Sequence, residues 1–74
     1  MKWYKRVAYL LEDATPYNDG VELRYRRLGH SSCYTWLPAS ACPPLEKLRE
    51  GTKIYLFFTL HWGGQVLKVE LTGG

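Results

Sequence analysis

The sequence predicts a mainly β fold: a small five-stranded barrel with one short helix between strands three and four. Three observations predict it. Thr52 to Leu71 reads as an aromatic, β-rich run, a Trp-Gly-Gly turn and a second alternating run, which is a β-hairpin pattern. Three shorter β-type runs precede it, separated by Asn-Asp-Gly and Gly-His-Ser turns. A helix-compatible stretch lies between Pro43-Pro44 and Gly51, with proline able to open a helix and glycine to end it.

In order, Trp3 to Leu11 is strand one. Trp3, Lys5, Val7, Tyr9 and Leu11 alternate with Tyr4, Arg6, Ala8 and Leu10, and both faces turn apolar toward the end. Asp13 to Gly20 is a turn, because Asn18, Asp19 and Gly20 tolerate positive φ. Val21 to Leu28 is strand two, with Val21, Leu23 and Tyr25 on one face and Glu22, Arg24 and Arg26 on the other. Ser32 to Leu37 is strand three, with Cys33, Thr35 and Leu37 opposite Tyr34 and Trp36, and Pro38 ends it. Leu45 and Leu48 sit on about two turns of helix. Thr52 to Leu60 is strand four and His61 to Gly64 the turn. Gln65 to Leu71 is strand five, with Leu67, Val69 and Leu71 inward. Five strands with one helix between the third and fourth is the layout of an OB-like barrel.

At 74 residues the chain is a single small β-barrel domain, residues 1–74. A chain of this length buries only roughly 60% of its unfolded surface. Its 3 Trp, 6 Tyr and 2 Phe exceed what such a core needs, so some rings belong on the surface. The net charge of +3 suits nucleic acid or an acidic protein partner. Positive charge gathers at Lys2, Lys5 and Arg6 and again at Arg24, Arg26 and Arg27. Two cysteines do not make a disulfide scaffold, and the apolar run Val7–Leu11 is too short for a secretory signal. No segment approaches the ~20 apolar residues of a membrane span. The expectation is a cytoplasmic protein with reduced thiols and no membrane partner.

The outward residues carry the functional reading. With Ile54, Leu56, Phe58 and Leu60 inward, strand four turns Lys53, Tyr55, Phe57 and Thr59 outward. Arg24 and Arg26 share the outward face of strand two. Cations beside exposed rings make a surface on which bases stack while phosphates are neutralised. Trp62, at a hairpin tip beside two glycines, is hard to bury. The expected function is therefore non-catalytic binding of single-stranded or structured DNA or RNA through Arg24, Arg26, Lys53, Tyr55, Phe57 and Trp62. The alternative is a protein-interaction module or accessory subunit, a homo-oligomer included, with the same rings as interface anchors. The interleaved Lys2-Trp3-Tyr4-Lys5-Arg6 reads as an edge strand kept soluble by its cations.

Metal and catalytic readings are weaker. His30 and Cys33 form one close pair, with Cys42 and His61 as distant mates, whereas zinc sites are usually built from two close pairs. No metal is expected, and Cys33 reads as a small buried residue on the inward face of strand three. No acid sits near either histidine in sequence to orient it, and no Gly-rich phosphate cradle is present, so neither an enzyme nor a cofactor is expected.

One resemblance adds to this reading. Leu28-Gly29-His30 precedes Tyr34-Thr35-Trp36-Leu37-Pro38, Pro43-Pro44-Leu45 leads to Gly51, and Ile54 to Leu60 runs into a tight turn followed by Val66-Leu67. Over about two-thirds of the chain this succession resembles the N-terminal OB domain of RuvA, the bacterial Holliday-junction-binding protein. The resemblance implies an OB-type barrel that self-associates or binds nucleic acid. The family's turn before the last strand carries an acidic pair. Here it is Trp62-Gly63-Gly64, and no counterpart of the family's helix-hairpin-helix domain follows. Junction processing is therefore not implied.

Overall fold

Six antiparallel strands make up the computed structural model, which describes residues 3–60 and 64–73. They are β1 (Trp3–Leu10), β2 (Thr15–Tyr17), β3 (Gly20–Arg27), β4 (Ser32–Pro38), β5 (Lys53–Thr59) and β6 (Val66–Leu71). β3 pairs along one edge with β4. Its other edge pairs with β2 at Gly20–Glu22 and with β1 at Tyr25–Arg27. β1 pairs along its far edge with β5, and β5 with β6. The sheet curls into a half-barrel of OB-like layout, and β4 and β6 are its open edges. No helix among the described residues is long and apolar enough to cross a membrane.

The sixth strand, β2, lies in the segment expected to be a turn. β1 and β2 follow a single line along β3, interrupted at 11–14, where the connector to β5 intervenes. The amide of Ala14 donates to the Leu48 carbonyl, and that of Gly51 to the Leu10 carbonyl. The segment read as a plain turn thus contains β2 and a two-residue hairpin turn. Asn18 (φ 48°) and Asp19 (φ 59°) form that turn in the left-handed region such hairpins require. Gly20 follows because the Trp36 indole lies against it. A Cβ there would collide with the ring and with the Leu37 carbonyl oxygen. The Trp36 Nε1–H donates to the Tyr17 carbonyl at 2.6 Å, which fixes the ring.

The expected helix is not formed. Two single 3₁₀ turns, Ala39–Ala41 and Leu45–Lys47, take its place. Each turn closes after three residues, where the backbone leaves helical geometry at Cys42 and at Leu48. Leu48 then leaves the turn to enter the core, where it is fully buried. The connector is tied to the end of β1 by Asp13, whose carboxylate accepts from the Glu50 amide at 2.8 Å and pairs with Arg49 at 3.2 Å. The Glu50 amide first, and Arg49 second, hold the Asp13 carboxyl below its ordinary value of 3.8. A depressed carboxyl pKa stabilises the fold above the unfolded-state value, and that contribution is lost as pH falls through the folded one. Asp13→Asn should therefore melt below the wild type near neutral pH. The two melting temperatures should converge in acid, below the ordinary carboxylate range; a gap that persists there would contradict the assignment.

The core is the concave side of the sheet. Ala8 and Leu10 of β1, Leu23 of β3, and Ile54 and Leu56 of β5 are fully covered, with Val21, Leu37, Phe58 and Val69 around them. Ile54, Leu56 and Phe58 face inward as the alternation predicts, but Leu60 lies past the end of β5 and is exposed. A bulge at Phe57/Phe58 shifts β6, so Val66 rather than Leu67 opposes the inward Phe58. Leu67 instead lines a small hollow with Trp3, Phe57 and Lys68. Leu71 lies opposite the inward Ile54 yet remains exposed. Cys33, expected to be buried, takes the inward row opposite Tyr25 but lies exposed near the start of the open edge β4.

Candidate nucleic-acid interface

Cross-strand register sets out the convex face row by row. Ser32, Arg26, Tyr9 and Lys53 form one row across β4, β3, β1 and β5. Val7, Tyr55 and Glu70 form the next across β1, β5 and β6, then Lys5, Phe57 and Lys68. On the other side Arg24 stands beside Tyr34, and Glu22 beside Trp36. Because the side-chain period of a strand is two, all these residues share one surface.

The predicted site residues meet here on unequal terms. Arg26 and Lys53 are exposed and share a row with Tyr9. Arg24 faces outward, but Glu12 pairs with it at 3.3 Å, its guanidinium lies 5.7 Å over the Tyr34 ring, and its Nε is buried without a partner. It is a clamp between strands more than a free cation. Tyr55 is half-buried, with the Lys5 ammonium 4.5 Å over its ring. Phe57 corrects the sequence reading. It points outward yet is only 7% exposed, because Trp3 packs edge-on at 5.1 Å and the Lys68 ammonium sits 4.7 Å over the ring. No base can stack on it. Trp62 lies outside the described residues, as does His61.

The rings that are open are others: Tyr34 (64% exposed), Tyr17 (58%), Trp3 (54%), Tyr9 (46%) and Trp36 (44%). Alternation in the sequence already grouped Trp3 with Val7 and Tyr9, and Tyr34 with Trp36. The pairing of Tyr9 with Arg26 and Lys53, which places them beside the cations, depends on register. The N-terminal cluster also changes meaning. β1 is no edge strand: it pairs with β5 from Trp3 to Tyr9 and with β3 from Ala8 to Leu10.

Charge changes sign along the line of β1 and β2. Lys5, Arg6, Arg26 and Arg27 lie toward one end; Glu12, Asp13, Asp19 and Glu22 lie toward the other, where Arg24 and Arg49 offset Glu12 and Asp13, as Glu70 offsets Lys68 at the first end. The thiol of Cys42 is pushed up by burial, which keeps it protonated and a poor nucleophile. Among the described residues no three His, Cys, Asp or Glu side chains converge as a metal site would require.

The molecule is thus a small, open, OB-like half-barrel with a convex face of alternating rings and cations. Comparison with protein-family models, with curated proteins and with solved structures finds no match.

Proposed function

We infer that this chain is a non-catalytic nucleic-acid-binding module that holds a single strand across the convex face of β4, β3, β1 and β5. The observation that carries the reading is the row arrangement: exposed Tyr9 stands between Arg26 and Lys53, with exposed Tyr34 on the same surface. Bases stack on such rings without regard to sequence, and the cations neutralise the backbone beside them. OB folds cover about 4–16 nucleotides each, and a face of this size falls at the short end. The resemblance to the OB domain of RuvA supports the same class of ligand. Two free thiols suit a cytoplasmic setting.

The test is a fluorescence titration of the tryptophans with oligothymidylate at rising salt. Quenching should saturate, and log affinity should fall linearly with log salt, by about 0.7 per phosphate neutralised. Arg26→Gln and Lys53→Gln should each flatten that slope by about one phosphate. Absence of salt-dependent binding at low ionic strength would overturn the reading.

A protein-interaction role is the second reading. It is favoured by the apolar hollow of Trp3, Phe57 and Leu67 and by the unpaired edges of β4 and β6. An apolar contact, with a second copy or another chain, would barely respond to Arg26→Gln, so the same variant separates the two.

A further inference from the structure

The concave side of the sheet is apolar except at one end. There Tyr4 of β1 and Phe58 of β5 are cross-strand partners with stacked rings, 5.3 Å between centroids and 16° between planes. The Arg6 guanidinium lies 4.7 Å over Tyr4, and that of Arg27 lies 5.1 Å over Phe58. Ala8 pairs with Arg27, and Arg6 precedes Ala8 by two, so the arginines occupy diagonal positions on one face. Diagonal neighbours are about 7–8 Å apart, within reach of long side chains. Arg6 is exposed and Arg27 half-buried.

The ion pairs of the described residues are Arg24–Glu12, Arg49–Asp13 and Lys68–Glu70; none involves Arg6 or Arg27. Arg6 donates to the Lys5 carbonyl. Each guanidinium is attracted to its own ring, but that does not cancel the repulsion between two neighbouring cations. An anion between them does.

We propose that this mouth is a phosphate-binding site that takes a phosphomonoester. A guanidinium over a ring face spends little of its fork of five N–H donors there, Arg6 giving one to the Lys5 carbonyl, and two such forks suit the several oxygens of a phosphate. A phosphomonoester carries about −1.5 to −2 near neutral pH, which matches two guanidiniums better than a carboxylate or a diester does. The ester is either a small phosphorylated molecule or the phosphorylated end of a nucleic-acid strand. The second source connects with the convex face, because Lys5 and Arg6 are consecutive on β1, as are Arg26 and Arg27 on β3, and they alternate between the two sides.

The test follows the arginine Nε resonances of the full chain by NMR at low salt. Adenosine monophosphate should shift Arg6 and Arg27 saturably, and adenosine should not. Arg6→Gln and Arg27→Gln should each weaken binding about tenfold or more, the effect of losing a charge-assisted hydrogen bond. Arg27→Lys, which keeps the charge but not the fork, should also weaken it. If strand ends are the source, terminally phosphorylated oligothymidylate should bind about tenfold tighter than the hydroxyl-ended strand. If small esters are, the two strands should bind alike while adenosine monophosphate still shifts both arginines. The Tyr9→Ala/Tyr34→Ala variant should leave adenosine monophosphate binding unchanged, so failure of the convex face and failure of the mouth read out separately. The proposal is overturned if neither phosphorylated probe moves Arg6 and Arg27, or if both move them no more than Arg26 and Arg49.

Discussion

Leu56→Ala is expected to cost about 2–5 kcal/mol, the range for truncating a buried leucine. The whole domain, at typical stability per residue, has on the order of 4–11 kcal/mol. Much of the population should therefore lose its structure under mild denaturant. Leu56 is fully buried on β5, between Arg6 of β1 and Val69 of β6, so its side chain underlies both neighbouring pairings. Urea unfolding should show a lower midpoint with an unchanged slope. Leu28, almost wholly exposed after β3, is the control: Leu28→Ala should stay within about 0.5 kcal/mol of wild type. Equal effects at the two sites would contradict the assigned core.

The second large effect falls on binding. Tyr9→Ala combined with Tyr34→Ala should weaken oligothymidylate binding by about 1–3 kcal/mol per ring, with circular dichroism unchanged. Both rings are exposed on the convex face, and neither belongs to the core. Truncating Phe57 should instead act on stability, since Trp3 and Lys68 already occupy its faces. Unchanged affinity in the tyrosine double variant would remove the convex face from the function.

How much of this was legible in the sequence depends on which force decides each residue. Alternation at a period of two identified the strands and the inward set of Ile54, Leu56 and Phe58, because burial of one face is a local pattern. It failed at Leu67, where one extra residue in a bulge changes which side chain faces in. The connector's helix failed because Leu48 turns into the core, which takes the backbone out of helical geometry after one turn. Arg26 and Lys53 were legible as outward, exposed cations. That Tyr9 stands between them was not, since residues so far apart in sequence meet only through the register of three strands. Phe57 was misjudged for the same reason: the rings and cations that cover it come from other strands.

The change of charge sign along β1 and β2 acts before any contact forms. Separated charge gives the molecule an electric dipole along the strand direction, and a polyanion's field exerts a torque on it. For the nucleic acid of the proposed function, the molecule would turn in the last stretch of diffusion so that Lys5, Arg6, Arg26 and Arg27 lead. The convex rings and the concave arginines would then arrive together, from one side, and at a rate that falls as salt shortens the reach of that field.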